Sequence, residues 1–195
     1  MRPTFTLFQS HIDLAHALWR RLVTPEDTVV DATCGNGHDA LFLSTLAPRG
    51  TLHLFDIQSQ ALKASYERLK NALTSDQLSR ISFHHLCHSR IDEPIAPDST
   101  KLIVFNLGYL PGHDKSITTH RDSTRTSLEK SLQLISPGGA ISVTSYPGHE
   151  EGQKEHEMVI DFCRQLPPQE WNVCVHSWIN RNQHPHLLFL QRAIH

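Results

Sequence analysis

The stretch from Thr28 to Leu43 constrains the fold of this 195-residue chain more than any other part of it. Apolar and β-branched residues from Thr28 to Ala32 predict a buried strand, and Ala40 to Leu43 begins a helix. Gly35 and Gly37 lie between the two, where glycine allows the backbone to turn tightly. A strand, a glycine turn and a helix in this order present a ligand site at the N-terminus of the helix.

A carboxylate follows the next predicted strand. Residues Gly50 to Phe55 predict a loop and a strand, and Asp56 stands at the end of that strand. In a βαβ unit, a carboxylate at this position points toward the ribose of a bound nucleotide. We therefore predict that Asp56 binds ribose hydroxyls.

Two cofactors carry such a ribose, NAD and S-adenosylmethionine (SAM). Ala40 is small enough for the third position of the NAD-binding fingerprint, so the turn alone fits both cofactors. Asp31 and Asp39, however, stand where the diphosphate of NAD would lie, whereas SAM offers an ammonium and a sulfonium there. The acidic turn therefore favours SAM, with an NAD-dependent oxidoreductase as the alternative.

The composition of the chain is that of a globular protein without a membrane-spanning segment. Hydrophobic residues make up 38% of the chain, and its mean hydropathy is −0.35. No apolar run approaches the roughly 20 residues that span a membrane, and the N-terminus has no basic-then-apolar signal pattern. We expect one α/β domain over residues 1–195, located in the cytoplasm, with residues 1–24 as a helical segment that docks on it.

Metal and nucleic-acid signals are weak. The four cysteines have no CxxC spacing, and the histidines of segment 84–88 would diverge on a strand, so we expect neither a disulfide framework nor a metal site. The net charge of −2 does not indicate a nucleic-acid-binding protein. An RNA substrate would need a local basic patch, and Lys115, Arg121 and Arg125 are candidates for it.

Strand and helix patterns alternate along the chain. Further helices are predicted at 8–22, 59–73, 123–135 and from the end of loop 146–152 to about 166, and further strands at 80–85, 101–105, 140–145, 171–178 and 186–192. Residues 137–139 predict a turn, and the last two strands are predicted to be antiparallel because a short polar loop joins them. His11 and His16 in the first helix are expected to be surface or packing residues.

Four segments, 31–39, 55–58, 106–115 and 146–152, together resemble one narrow family. It is the YtqB-like family of class I SAM-dependent methyltransferases, which is associated with MnmM and was once labelled as rRNA methylases. The resemblance implies a Rossmann-like α/β fold whose seven-stranded, mostly parallel sheet has an antiparallel last strand and helices on both faces. It also implies that the protein methylates the 5-aminomethyl group of the modified wobble uridine in the anticodon of tRNA.

The resemblance also implies the residues that bind SAM. Its methionine moiety would lie on the turn formed by Cys34, Gly35, Asn36 and Gly37, with Asp31 and Asp39 near its ammonium. Asp56 would bind the ribose, and the adenine would lie between Ile57 and Gln58 on one side and Cys87 and His88 on the other. The family usually has Ser-His where this chain has Cys87-His88, and the wider class has a third glycine where Thr33 stands.

The segment Asn106-Leu107-Gly108-Tyr109 has the Asn-x-x-Tyr spacing of the Asn-Pro-Pro-Tyr motif of amino-group methyltransferases. The amide oxygen of Asn106, which also lies on the cofactor side, would accept N–H groups of the target amine and aim its lone pair, while Tyr109 packs on the substrate. Alternatively, Asn106 only caps the strand end. Further substrate contacts are expected from Leu107, Gly108 and Tyr146, and phosphate contacts from Lys115, Arg121 and Arg125.

A protonated alkylamine must lose a proton before it attacks a methyl group. His149 or Asp114 is the expected proton acceptor, although His149 also fits a loop histidine that bonds the backbone. The leading interpretation is a tRNA N-methyltransferase. A methyltransferase of rRNA or of a small amine and a non-catalytic SAM- or RNA-binding module are the alternatives. The apolar N-terminal helix and the terminal strands fit either a homodimer interface or completion of the monomer core.

Overall fold

The computed structural model describes residues 10–108, 118–181 and 183–194. The strands of these residues are β1 Thr28–Asp31, β2 Thr51–Phe55, β3 Ile81–His84, β4 Thr100–Asn106, β5 Ile135–Ser145, β6 Trp171–His176 and β7 His186–Arg192. They form a seven-stranded sheet in the order β3-β2-β1-β4-β5-β7-β6. Neighbours from β3 to β5 are parallel, and β7 runs antiparallel to both β5 and β6. The predicted class I methyltransferase sheet is confirmed.

Helices cover both faces of this sheet, as predicted. They are α1 His11–Leu22, α2 His38–Leu46, α3 Ser59–Ala72, α4 Ser75–Leu78, α5 Arg121–Leu134 and α6 Glu150–Arg164, with one 3₁₀ turn at His88–Arg90. Successive residues of a strand point to opposite faces. Val30 and Ile103 therefore pack in a core with α5 and α6, whereas Val29 and Leu102 pack in a second core with α1, α2 and α3. One domain over 1–195 stays a prediction.

The helix α1 docks on the sheet through an apolar stripe. Ser10 caps the helix by accepting a hydrogen bond from the N–H of Asp13 at 3.1 Å. Trp19 is 2% exposed and lies in the second core. The predicted amphipathic helix is thus confirmed from His11 onward, and residues 8–9 lie outside the described residues. None of the helices in the described ranges has the length and apolar character that a membrane span requires.

Some element boundaries differ from the sequence prediction. The turn predicted at 137–139 is instead part of β5, which takes up these extra residues in a register shift against β4 between Thr100 and Leu102. Gly138 has a φ of 74° in this bulge, a conformation that glycine adopts readily. The predicted loop 146–152 is shorter than expected, because α6 already begins at Glu150. The sequence does not predict α4, since four residues are too few for a periodic signal.

Candidate active site

A cavity of about 870 Å³ opens at the carboxyl ends of β1, β2, β4 and β5. The chain leaves β1 toward β2 on one side and returns to β4 on the other, so the strand order reverses at β1. Open α/β sheets bind ligands in the crevice at this point. Most predicted site residues line the cavity: Asp31, Cys34, Gly35, Asn36, Asp39, Asp56, Ile57, Gln58, Cys87, His88, Asn106, Leu107, Gly108, Tyr146 and His149. Gly37, Arg121 and Arg125 do not line it.

The glycine turn is held by α3. Gly37 has a φ of 76°, and a Cβ at this position would lie 2.8 Å from the Cα of Ser65, so only glycine fits. The Ser65 hydroxyl donates to the carbonyl of Gly35 at 2.9 Å, and Nε of Arg68 donates to the carbonyl of Asn36 at 2.7 Å. Ser65 and Arg68 were not among the predicted site residues. Their signal is a spacing of i, i+3, which places both on one face of a helix.

Two carboxylates border the turn. Asp56 accepts hydrogen bonds from the N–H groups of Gly35 at 3.0 Å and Gln58 at 2.9 Å, one on each oxygen. Asp31 is buried and accepts from the N–H of Thr33 at 3.1 Å. Burial, reinforced by the negative charge of Asp39, raises the pKa of Asp31 well above its ordinary value, and burial also raises the pKa of Asp56. A cationic ligand would relieve the cost of ionising these groups.

The side chain of Asp39 joins α1 to the end of β4. One of its oxygens accepts from Nε2 of His16 at 2.8 Å, and the other accepts from the side-chain amide of Asn106. The ring of His16 stacks on Phe42 with the centroids 3.8 Å apart and the planes 6° from parallel. The N–H of Asn106 donates to the Thr33 hydroxyl at 2.7 Å. Asn106 is therefore fixed through its backbone and its side chain.

This arrangement determines the orientation of the Asn106 amide. Because its nitrogen donates to Asp39, its oxygen points away from that bond and remains an acceptor. No hydrogen bond to this oxygen comes from the residues that the structure describes. The sequence analysis treated His16 as a surface or packing residue. It missed the contact with Asp39 because nothing in the spacing of the two residues indicates that α1 reaches the site.

Tyr146 follows β5 and meets α1 across the cavity. Its hydroxyl lies 3.1 Å from Nε2 of His11. Burial raises the pKa of Tyr146 to about 12, so the phenol stays neutral at physiological pH, and burial lowers the pKa of His11. His11 thus contacts a site residue, which the sequence analysis did not foresee.

The segment from Tyr146 to Gly152 forms the joint between β5 and α6. His149 caps α6, because its Nδ1 accepts from the N–H of Gly152 at 3.1 Å. A Cβ at Gly152 would lie 2.2 Å from the carbonyl oxygen of Tyr146, so this close approach requires glycine. A neutral imidazole that accepts at Nδ1 carries its proton on Nε2. The geometry therefore matches the backbone-bonding alternative for His149, and its role as a base stays a prediction.

His88 lies at the far side of the cavity, at the start of the 3₁₀ turn. It is 6% exposed, and its Nε2 has no hydrogen-bond partner among the described residues. Burial lowers its pKa to about 4, so the ring is neutral at pH 7.

The histidines of segment 84–88 diverge, as predicted. His84 lies 3.0 Å from Nδ1 of His53 on the neighbouring strand, whereas Nε2 of His85 bonds the carbonyl of Ile57 at 2.9 Å. Within the described residues, no group of three or more histidine, cysteine, aspartate or glutamate side chains is arranged to hold a metal ion.

The segment after Asn106 is closed at its base by a buried network. Gly108 donates its N–H to the Thr119 hydroxyl at 2.8 Å and accepts from the N–H of Thr119 at 2.9 Å. The Thr119 hydroxyl in turn donates to Glu155 at 2.8 Å, and Thr124 donates to the other oxygen of Glu155 at 2.6 Å. Glu155 is 4% exposed and was not predicted as a site residue. Tyr109, Asp114 and Lys115 lie outside the described residues.

The two arginines expected to contact phosphates are on the exposed side of α5. Arg121 lies 3.6 Å from Asp122, and Arg125 donates to Glu129 at 3.2 Å. Each is thus next to an acidic partner, and exposed pairs of this kind are weak enough to exchange for a phosphate. Their role in RNA binding stays a prediction.

Comparison with known proteins agrees with this geometry. Residues 52–192 match the model of the family described as "Putative rRNA methylase". The tRNA (mnm⁵s²U34)-methyltransferase, chloroplastic, of Arabidopsis thaliana is 36% identical over an alignment of 186 positions that covers 91% of this chain and 68% of that protein.

Solved structures show the same fold. A "putative rRNA-methylase" from Clostridium thermocellum is 33% identical with a TM-score of 0.89, and a "putative methyltransferase" from Streptococcus mutans in complex with SAH is 28% identical with a TM-score of 0.84. Each comparison covers 94% of this chain and 98% of the other. The chain therefore belongs to the rRNA_methylase family of methyltransferases.

Proposed function

We propose that this protein is a SAM-dependent N-methyltransferase that converts the 5-aminomethyl group of the wobble uridine of tRNA to 5-methylaminomethyl. The observation that carries the proposal is the amide of Asn106, which Asp39 fixes at the cavity with its oxygen left as an acceptor. The similarity to the tRNA (mnm⁵s²U34)-methyltransferase of A. thaliana supports the tRNA substrate, and the SAH complex of the S. mutans relative supports the cofactor.

The residues of the cavity fit SAM. When bound, SAM supplies a methyl group on a sulfonium. Each oxygen of Asp56 bonds one backbone N–H and keeps a lone pair for a ribose hydroxyl. The carboxylates of Asp31 and Asp39 offer negative charge to the ammonium and sulfonium, and the glycine turn of residues 34–37 lets the methionine moiety approach the backbone.

The adenine fits between two short segments. The side chain of Ile57 is 50% exposed and offers an apolar surface to the base, with Gln58 beside it. Cys87 and His88 line the opposite side.

Asn106 positions the target amine. Its oxygen accepts one N–H, which directs the nitrogen lone pair toward the cofactor half of the cavity, and alignment of this kind contributes roughly 7–11 kcal/mol to lowering a barrier. Tyr146 stays neutral and lines the same space, while Leu107 and Gly108 form its floor. Tyr109 is proposed to pack on the substrate.

The amine must be neutral to attack. A free alkylamine has a pKa of about 10.4, and the loss of hydrating water on entering the cavity lowers this pKa by disfavouring the ammonium. We propose His149 or Asp114 as the proton acceptor. For His149 this requires that the cap opens during turnover, so that Nδ1 is released from the N–H of Gly152 and can take the proton of the amine.

We propose that the partner is the anticodon region of tRNA, with Lys115, Arg121 and Arg125 near its phosphates. A salt dependence of tRNA binding that is unchanged after joint replacement of the three would contradict their role. A cytoplasmic location and a homodimer stay predictions, and light scattering on the purified protein tests the latter.

The test of the function is mass spectrometry of nucleosides after incubation of the protein with SAM and tRNA that carries 5-aminomethyl-uridine. We expect that nucleoside to gain the mass of one CH₂ group. Parallel reactions contain rRNA and small alkylamines. Methylation of rRNA or of small amines alone would contradict the tRNA substrate and support a methyltransferase for those substrates. No methylation despite measured SAM binding would support a non-catalytic SAM-binding module.

A further inference from the structure

The connection from β6 to β7, of which the structure describes residues 177–181 and 183–185, borders the cavity at Gln183. β7 begins at His186, which pairs in register with Ser145, the last residue of β5. The connection therefore emerges at the sheet edge where β5 ends, and Gln183 within it lines the cavity. A ligand that extends out of the cavity past Gln183 would meet this connection.

The imidazole of His184 makes hydrogen bonds to two other residues of this connection. Nε2 of His184 accepts from the N–H of Trp178 at 3.0 Å, and Nδ1 bonds the carbonyl of Arg181 at 2.6 Å. Since a carbonyl only accepts, Nδ1 carries the proton and the tautomer is fixed. These two bonds tie the start of the connection to its end. A segment that is already ordered loses little conformational entropy on binding.

Aromatic and planar groups follow one another along the connection. The guanidinium of Arg181 lies over the ring of Trp178, 5.3 Å from its centroid, and His184 meets Trp178 edge-on at 6.2 Å. His184 also stacks on His186 with the centroids 4.7 Å apart, and His186 lies 4.4 Å from His156. Burial, together with the neighbouring imidazoles, lowers the pKa of His186 to about 4, so this ring is neutral at pH 7.

This chemistry matches unpaired nucleobases. Aromatic rings and guanidinium planes stack on bases that are not stacked on each other, and such stacking does not depend on a net positive charge of the protein. That independence matters for a chain whose formal charge is −2. We propose that Trp178 and Arg181 form a stacking surface for an unpaired base of the RNA next to the base whose amine enters the cavity. The proposal rests on the proposed RNA substrate.

Intrinsic fluorescence offers a direct test, because the other two tryptophans are buried. Trp19 is 2% and Trp171 is 6% exposed, whereas Trp178 is half-buried. The probe is an RNA anticodon stem-loop, and a fully paired RNA duplex of equal length is the control. We expect the stem-loop to quench the fluorescence more strongly than the duplex, and we expect Trp178→Phe to abolish the difference. Equal quenching by both RNAs, or quenching that persists in Trp178→Phe, would overturn the proposal.

Kinetics give a second readout. Trp178→Ala is expected to raise KM for tRNA between about fivefold and about a hundredfold, as stacking on one base implies, with KM for SAM unchanged. Arg181→Lys keeps the positive charge but removes the planar guanidinium, and it should raise KM for tRNA by a smaller factor than Trp178→Ala does. Val175→Ala, at a 44% exposed position of β6, is the matched control and should leave both constants unchanged.

The two proposals fail in different ways. If the wild-type protein methylates tRNA and Trp178→Ala leaves KM for tRNA unchanged, the stacking surface is wrong and the proposed function stands. If the wild-type protein methylates only small amines and no RNA quenches Trp178, both are wrong.

Discussion

The two halves of the cavity are held together by different kinds of contact. In the half formed by residues 34–37 and 56–58, which we call the turn half, Asp56 bonds two backbone N–H groups, and Ser65 and Arg68 bond two backbone carbonyls. In the half formed by residues 106–108, 118–123 and 146–149, which we call the Asn106 half, four pairs of side chains bond each other, in addition to the bonds that the backbone N–H groups of Asn106 and Gly108 donate. The pairs are His16 with Asp39, Asp39 with Asn106, His11 with Tyr146 and Thr119 with Glu155.

The difference teaches which substitutions separate binding from chemistry. In the turn half, one partner of each bond is a backbone group that is present whatever the residue, so this half depends on the path of the chain, on its glycines and on the side chains of Asp56, Ser65 and Arg68. The Asn106 half depends on individual side chains that α1 and α6 supply. We therefore expect changes in the turn half to weaken cofactor binding and stability, and changes in the Asn106 half to lower turnover while cofactor binding survives.

The largest effect is expected from Asn106→Ala. Loss of the amide removes the acceptor for the target N–H, and removal of one such positioned group typically lowers kcat about 100- to 1000-fold. SAM affinity, measured by calorimetry, should change less than about threefold, since truncation leaves the contacts of Asp56 and the glycine turn in place. Near-normal turnover would remove Asn106 from the mechanism and favour the strand-cap alternative.

Gly37→Ala should damage the turn half. The added Cβ would meet the backbone of Ser65 at 2.8 Å while φ is 76°, and we expect a loss of about 2 kcal/mol in the free energy of unfolding with markedly weaker SAM binding. Gly148→Ala is the matched control, because no atom lies within 4 Å of its Cβ. Equal unfolding midpoints for the two variants in urea would show that the turn is not constrained by α3.

Asp31→Asn should change the pH dependence of the ligand-free protein. Folding raises the pKa of Asp31, so its contribution to stability is greatest below the unfolded pKa and is lost as pH rises through the folded pKa. Asparagine does not ionise, and we expect a higher Tm than wild type at pH 7 with a flatter dependence on pH.

The same substitution should weaken SAM binding by about tenfold, because a cation favours the ionised carboxylate. Wild-type affinity should also increase as pH rises through the folded pKa of Asp31, and the variant should lose this increase. A variant that binds SAM as tightly as wild type at every pH would show that Asp31 does not face the cationic part of the cofactor.

His16 separates hydrogen bonding from packing in the Asn106 half. His16→Phe keeps a ring on Phe42 but removes the donor to Asp39, whereas His16→Gln keeps a donor and removes the ring. If His16 acts by positioning Asp39, the His16→Phe variant should have a kcat about tenfold below that of the wild type. The His16→Gln variant should keep most of the wild-type kcat, and KM for SAM should change little in either variant. The reverse order of the two variants would show that the ring serves only packing.

The sequence predicts the turn half well because its residues are near each other in the chain. Asp31, Gly35 and Asp56 follow two successive strands, and parallel strands bring their carboxyl ends to one edge. The strands of the sheet are also predictable from local sequence, because each one has its own apolar or β-branched pattern. The bulge at 137–139 is not, because Pro and Gly indicate a break in a strand without showing that its neighbour accommodates it.

The Asn106 half is only partly predictable. Asn106 and Tyr146 stand at strand ends and were expected at the site, whereas His16 and Glu155 lie on helices and contact residues that line the cavity. Their contacts with Asp39 and Thr119 depend on how α1 and α6 pack, and neither residue type nor spacing records that packing. A histidine in an amphipathic helix has the same pattern whether its ring faces solvent or a carboxylate.

The most direct test of this account is a double-mutant cycle between His16→Phe and Asp39→Ala, with the single-turnover rate of tRNA methylation measured at saturating SAM. If His16 acts through Asp39 on Asn106, His16→Phe slows the wild-type protein about tenfold and does not slow the Asp39→Ala variant further. If the two effects multiply, α1 contributes to catalysis by a route that does not pass through Asp39, and the account of the Asn106 half is contradicted.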